Sequence, residues 1–185
     1  PRRPARPFFG TVPSPPLADE YAKSEPLLIG PTARTPYLAP SFFNISGMSY
    51  GALSKPAVQA LSHGAAAAGI WLNTGEGGVS PFHYEGGCDL VYQIGTAKFG
   101  VRNAEGGLDD AKLREIASHK NIRMFEVKMA QGAKPGKGGI LPGEEVTEEI
   151  AKIRGLQVGQ DGISPNRHRE IDNFDHLLDF LAHIR

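Results

Sequence analysis

The chain has 185 residues, and its 20 basic side chains balance its 20 acidic ones. That balance gives no reason to expect a nucleic acid or an anionic membrane surface as a partner, and no stretch approaches the ~18 apolar residues of a membrane helix. The one cysteine, Cys88, allows neither an internal disulfide nor a cysteine-built metal site, and a lone thiol suits a cytoplasmic protein.

A proline-rich N-terminal arm is predicted over residues 1–40, where ten of the 15 prolines lie. Proline has no backbone N–H and restricts the residue before it, so we expect an extended segment on the surface. In residues 41–185 glycines cluster between apolar runs instead. This second part is predicted to form one α/β unit.

Four short apolar runs predict four β-strands in this unit. The first run, Phe42–Ile45, is expected to be buried, and the others cover 70–74, 90–94 and 124–129. Helical patterns alternate with these runs. Strand, loop, helix and strand within about 35 residues is typical of a βαβ unit, in which the two strands pair in parallel.

Helices are predicted between and after these strands. Ser54, Asp109 and Thr147 are residue types that cap helix N-termini, and each precedes a segment with apolar residues at helical spacing. A last helix is predicted near 173–184. Its apolar face is expected to carry Phe174, Leu177, Leu178 and Leu181.

The alternation of strands and helices fits either a doubly wound sheet or a barrel. Each glycine cluster follows the C-terminal end of a predicted strand, which is the end at which barrels build their active sites. No G-x-G-x-x-G motif follows a strand and opens a helix, so a dinucleotide-binding fold has little support. The placement of the glycines therefore favours the barrel.

Three of the loops carry residues suited to chemistry. Small residues in 46–54 let the backbone approach a flat ligand closely, and Glu76 stands among glycines in 73–78. The longest loop, 131–143, contains Lys134, and loops of this length are usually functional or disordered. From the residues alone, a solvated glutamate in a tight turn and a solvated loop lysine stay open as alternatives.

In this order and spacing, the three loops closely resemble those of the FMN-binding domain of glutamate synthase. The resemblance runs from about Ser41 to the C-terminus, and 138–143, 146–155 and 164–168 are similar to the shorter FMN-binding glutamate synthase family proteins. It implies a (β/α)₈ barrel with FMN at the C-terminal ends of its strands. Residues 41–185 would form about the first four βα units, a partial TIM barrel.

The resemblance also implies a reductive amination. In the family, 2-oxoglutarate and ammonia give 2-iminoglutarate, and hydride from flavin reduced by an electron donor then makes L-glutamate. Glu76 and Lys134 would be catalytic, with Lys134 also binding substrate, and Arg154 would grip a substrate carboxylate. The positions matched to the cofactor site are Gly47, Met48, Ser49, Gln93 and Lys98.

Other roles and other reactions stay open. Arg154 at a helix C-terminus would also favour the helix dipole, and Lys98 could be an ordinary surface lysine. The larger glutamate synthases usually have a glutamine, which helps bind 2-oxoglutarate, where this chain has Ile140. An FMN oxidoreductase for another 2-oxo or amino acid, such as an N-methylglutamate synthase-like enzyme, and a non-catalytic scaffold are therefore alternatives.

Further parts of the family's site would follow Arg185. In the family, the late loops that bind the flavin phosphate and the cysteines of the iron–sulfur cluster come after the fourth unit. We therefore expect weak or absent FMN binding by these residues alone. The open sheet edges of half a barrel would also favour self-association.

Overall fold

The computed structural model describes residues 25–132 and 138–185. Most of the predicted arm, residues 1–24, lies outside the described residues. So does Lys134, together with the middle of the loop predicted over 131–143. No helix in the described ranges is long and apolar enough to cross a membrane.

The described part of the arm is an antiparallel ribbon of β1 (Leu27–Ile29) and β2 (Tyr37–Ala39). Tyr37 and Ala39 are buried. The Tyr37 ring packs 6.3 Å from the ring of Trp71, measured between centroids, and the guanidinium of Arg123 lies over it. These contacts fix the ribbon to the α/β unit.

A parallel sheet of three strands forms the centre of that unit. Its strands are β3 (Leu72–Asn73), β4 (Leu90–Ile94) and β5 (Ile122–Val127), and they are adjacent in the order of the sequence. Ile45 extends the sheet through one parallel bridge to Leu72. The second, third and fourth predicted strands are confirmed.

The first predicted strand is wrong. Phe42 and Phe43 are 61% and 57% exposed, and their rings pack against each other with centroids 4.3 Å apart. The backbone N–H of Phe43 donates to Ser41 Oγ, a local turn that diverts the chain from the sheet. Only Ile45 of this apolar run contributes to the sheet in the described structure.

The helices are α1 (Lys55–Ala68), α2 (Pro81–Tyr84), α3 (Asp110–Ser118), α4 (Glu148–Arg154) and α5 (Phe174–Ile184). The caps are confirmed at Asp109 and Thr147, whose side chains accept backbone N–H groups of the first turn. Ser54 occupies the N-cap position of α1 without a side-chain cap hydrogen bond.

Helix α5 buries a different face from the predicted one. Phe180 is buried, and Ile184 packs partly buried against the same apolar cluster. Of the four predicted residues, Leu177 is half-buried, whereas Phe174, Leu178 and Leu181 are 69%, 48% and 41% exposed. The helix has two apolar stripes, and spacing alone gave no reason to prefer the one that packs against the ring of His168.

The parallel sheet has one apolar face and a second face, here called the polar face, on which Val91 and Met124 accompany the polar side chains. Leu72, Leu90 and Ile94 lie on the face that packs into the apolar core. The opposite face carries Asn73, Gln93 and Glu126, because side chains alternate along a strand and residues in register share a face. The polar face is therefore available for a site.

A second, antiparallel pair follows the sheet. It consists of β6 (Gly139–Leu141) and β7 (Gly162–Ser164), with α4 between them. The end of the predicted 131–143 loop is thus a strand. Ile140 in β6 is 63% exposed and pairs with Ile163, which is 57% exposed.

Candidate functional site

The first two glycine-rich loops pack against each other at the carboxyl end of the parallel sheet. A Cβ atom built on Gly75 would lie 2.6 Å from the backbone nitrogen of Ser49, and Gly75 also has a φ of +67°. A Cβ on Gly77 would lie 2.3 Å from Ser49 Oγ. Gly75 is required because the backbone of Ser49 lies directly against it, and Gly77 leaves room for the Ser49 side chain.

Glu76 is the centre of a polar cluster that joins the second loop to the end of β5. Its carboxylate accepts from Lys128 Nζ at 3.1 Å and from Gln131 Nε2 at 2.6 Å. Lys128 Nζ also donates to Gln131 Oε1 at 3.2 Å, and Gln131 reaches Thr96 Oγ1 at 3.3 Å. The carboxylate and the ammonium are only partly exposed, at 20% and 30%, so the ion pair is protected from full solvent screening.

A row of amides and a carboxylate crosses the polar face below this cluster. Glu126 accepts from Asn73 Nδ2 at 2.9 Å and from the side-chain amide of Gln93. The oxygen of the Asn73 side chain accepts the backbone N–H of Gly75 at 2.9 Å. This row links three strands to the second loop and holds Gln93 half-buried on the polar face.

Arg154 is the last residue of α4 and is 5% exposed. Its Nη2 donates to Ser49 Oγ at 3.3 Å and to the Tyr50 carbonyl at 3.2 Å, and its guanidinium lies 5.1 Å from the Phe99 ring centroid. In residues 25–132 and 138–185 no carboxylate forms an ion pair with it, and its Nε has no hydrogen-bond partner. Burial lowers the pKa of Arg154, while the charge of Glu76 opposes that effect.

Lys98 is fully buried, so the surface-lysine alternative is wrong. Its Nζ lies 2.9 Å from Glu170 Oε2, and its φ is +53°. Burial raises the pKa of Glu170, but the hydrogen bond and the charge of Lys98 outweigh it, so that the pKa lies below its usual value. Lys98 therefore neutralises a carboxylate from the segment after β7.

The segment around Glu170 is attached to the sheet at three further points. His168 Nε2 lies 2.9 Å from the Lys128 carbonyl oxygen. Because a carbonyl can only accept, Nε2 carries the proton and donates it. The Pro165 carbonyl accepts from Thr96 Oγ1 at 2.6 Å. Arg167 forms an isolated antiparallel β-bridge with Ala130 through the backbone. The segment thus holds the loops that follow β4 and β5.

The structure brings some of the predicted site residues together and places others apart. Gly47, Met48 and Ser49 form one loop that contacts the loop of Glu76, and Arg154 joins the two. Gln93 stands on the adjoining polar face, whereas Lys98 faces Glu170. Lys134 lies outside the described residues. Their proposed roles stay predictions.

Sequence reasoning missed Lys128 and Gln131, the two residues that bind Glu76. Lys128 is two residues beyond Glu126 at the end of a predicted strand, and alternation places both on the same face. That spacing, with the rule that barrel sites lie at strand C-termini, was the available signal for Lys128. Gln131 had none beyond its position at the start of the longest loop.

A sequence model for the region described as conserved in glutamate synthase matches residues 20–185. The chain belongs to the glutamate synthase family. The resemblance carried by the three loops is thereby confirmed.

Several curated relatives share this region of the glutamate synthase family. The glutamate synthase large subunit-like protein YerD of Bacillus subtilis (strain 168) is 39% identical over 176 residues, which cover 90% of this chain and 33% of YerD. The archaeal-type glutamate synthase (NADPH) of Thermotoga maritima is 36% identical over 141 residues, 76% of this chain and 25% of the relative. A glutamate synthase large subunit-like protein of Rhizobium meliloti is 37% identical over 141 residues, which cover 29% of that protein. The chain thus spans between a quarter and a third of the length of these relatives.

Proposed function

We propose that this chain forms the FMN-facing part of a glutamate synthase-type oxidoreductase that reductively aminates 2-oxoglutarate to L-glutamate. The observation that carries the proposal is the convergence of Glu76, Lys128 and Arg154 at the carboxyl end of a parallel sheet. An acid, an ammonium and a buried guanidinium without a carboxylate partner in the described ranges suit a substrate with two carboxylates and a reacting nitrogen.

The proposed architecture is the first part of a (β/α)₈ barrel. Strands β3, β4 and β5 are parallel and follow one another in sequence order, as neighbouring barrel strands do. Their apolar face is covered, and their polar face would point into the barrel. Membership of the glutamate synthase family supports the same arrangement.

The residues on the polar face fit a flat cofactor such as FMN. Gly47 is exposed, and even a single Cβ there would lie 3.2 Å from Gln93 Nε2 and 3.2 Å from Gly75 Cα. The backbone of Gly47, Met48 and Ser49 therefore offers a surface without bulk, bordered by the amide of Gln93. When bound, FMN would supply hydride to the substrate.

The side chains would bind and orient the substrate. Arg154 would bind one substrate carboxylate, because a buried guanidinium that forms no ion pair within residues 25–132 and 138–185 gains most from an anion. Glu76 would hold ammonia, or a proton at its carboxylate oxygen, beside the reacting carbon. Lys128 keeps Glu76 in place, and Lys134 would add a second cation from the long loop.

Lys98 would contribute to the site indirectly, without contacting the cofactor. Its ammonium is engaged with Glu170, so we assign it to the shape of the 95–101 loop at the end of β4. That loop touches Glu76: a Cβ on Gly95 would lie 2.6 Å from the Cβ of Glu76. Lys98 would therefore support the site through Glu76.

Ile140 bears directly on which substrate the site would bind. The isoleucine side chain forms no hydrogen bond and is 63% exposed on β6. A site without the family's usual glutamine would depend more on Arg154 and the lysines for its grip on the oxo acid. Ile140→Gln should then lower the KM for 2-oxoglutarate, with kcat changed much less.

Product formation by the complete gene product tests the function. The purified protein is reduced anaerobically and given 2-oxoglutarate with ammonia or with methylamine, and the amino acid formed is identified by mass. L-Glutamate with ammonia supports the proposal, and N-methylglutamate formed only with methylamine would replace it. No amino acid with either amine, in a protein that contains reducible flavin, would contradict it.

A further inference from the structure

His83 lies outside every role assigned so far, yet it touches the loop on which the flavin would lie. It belongs to α2 and is fully buried. Its Nδ1 lies 3.0 Å from the backbone nitrogen of Ser80 and 2.8 Å from Ser80 Oγ, and its Nε2 lies 2.8 Å from the Met48 carbonyl oxygen. Both ring nitrogens are therefore engaged.

These partners determine the tautomer of His83. The backbone N–H of Ser80 can only donate, so Nδ1 must accept and carries no proton. The Met48 carbonyl can only accept, so Nε2 must donate. The neutral Nε2–H form is the one form of the ring that satisfies both bonds, and burial, which lowers the pKa of His83, favours the same neutral form.

The Met48 backbone is held from two sides. Its N–H donates to the Asn73 carbonyl at 3.0 Å, which ties it to β3. Its carbonyl accepts from His83, which ties it to α2. The residues on either side, Gly47 and Ser49, form the surface without bulk that was proposed for the cofactor. The orientation of that surface therefore depends on the hydrogen bond from His83.

We propose that His83 is a positioning residue for the cofactor face, acting by donation from Nε2 to the Met48 carbonyl. This inference rests on the proposed FMN site. In this proposal the hydrogen bond from His83 Nε2 to the Met48 carbonyl supports cofactor binding, and the hydrogen bond between His83 Nδ1 and Ser80 does not. The two bonds use different ring nitrogens, so two variants can separate them.

His83→Gln and His83→Asn form a matched pair. The longer glutamine places its amide nitrogen near the position of Nε2 and can keep the bond to Met48. The shorter asparagine places its amide oxygen near Nδ1 and can keep the bond to the N–H of Ser80. Both variants remove the ring, so packing is lost in both, and they differ mainly in which hydrogen bond remains.

The cofactor readout is the Kd for FMN, measured by flavin fluorescence on the complete gene product after its flavin has been removed. A tenfold change in Kd corresponds to about 1.4 kcal/mol, which lies within the range for one buried hydrogen bond. We expect His83→Asn to weaken FMN binding by about tenfold and His83→Gln by less than about threefold. Equal losses in the two variants, or none in His83→Asn, would overturn the proposal.

A second readout is independent of FMN and separates failure of this inference from failure of the proposed function. Hydrogen exchange of the Met48 amide is measured in the flavin-free protein, where we expect about a tenfold faster rate in His83→Asn than in His83→Gln. If the Met48 amide exchanges faster in His83→Asn and the wild type does not bind FMN, the FMN site is rejected, but His83 still positions the Met48 backbone. Equal exchange in the two variants would reject the positioning role itself.

Discussion

The ion pair between Lys98 and Glu170 gives the sharpest prediction on stability. Glu170→Gln leaves the fully buried Lys98 ammonium without its carboxylate. Two unit charges 2.9 Å apart attract by about 6 kcal/mol at an effective dielectric constant near 20 and by about 1.4 kcal/mol in bulk water. The Glu170 side chain is 38% exposed, so we expect a coupling free energy between these limits, about 3 kcal/mol.

A double-mutant cycle measures this coupling. Urea unfolding is followed for the wild type, Glu170→Gln, Lys98→Met and the double variant, and the interaction free energy is taken from the four unfolding free energies. Lys98→Met removes the charge but keeps a long apolar side chain. The double variant should therefore be more stable than Glu170→Gln alone.

The same segment offers a matched control. Arg167 and Asp172 also form an ion pair, but their side chains are 59% and 58% exposed. Asp172→Asn should change the unfolding free energy by less than about 1 kcal/mol, as is usual for exposed pairs. A coupling below about 1 kcal/mol for Lys98 and Glu170, as small as the effect of Asp172→Asn, would refute the claim that burial makes the pair strong.

Three further predictions concern a loop cation, a glycine contact and pH. If the charge of Lys134 acts mainly in the transition state, Lys134→Met should lower turnover by about 10²-fold while the flavin content stays unchanged. An unchanged turnover would show that Lys134 is a solvated loop lysine without a catalytic role. Gly75→Ala should destabilise the protein more than Gly69→Ala in urea unfolding, because both have positive φ but a Cβ would clash at Gly75 and meets open space at Gly69; equal losses would contradict the clash. Burial lowers the pKa of His83 and His168 in the folded protein. As the pH falls through about 6.5, the unfolded chain therefore binds protons before the folded one, and the urea concentration at the unfolding midpoint should fall. A midpoint that rises as the pH falls would contradict this.

Local sequence signals were enough for much of the fold. The caps at Asp109 and Thr147 and the strand 90–94 are recognisable because a capping side chain or an apolar run acts over a few residues. Phe42 and Phe43 show where such signals fail. An apolar pair is consistent with a buried strand, and only the surrounding structure decides that it stays exposed.

The site needed contacts between distant segments. Glu76 could be selected from its loop, but its partner Lys128 directly follows β5, 52 residues later in the sequence. Lys98 could be aligned with a family position, yet its ion-pair partner, Glu170, comes from the segment after β7. A single sequence carries no direct record of such pairs, so the residues were found more readily than their partners.

The rate at which reduced flavin is reoxidised tests the central claim most directly. The complete gene product is reduced without oxygen and mixed in a stopped-flow instrument with 2-oxoglutarate, with ammonia, or with both. Our account predicts fast reoxidation only with both, and a loss of about 10²-fold or more in Glu76→Gln, whose amide cannot serve as a proton acceptor. Reoxidation that is equally slow with both substrates and with either one alone, or that is unchanged in Glu76→Gln, would contradict it.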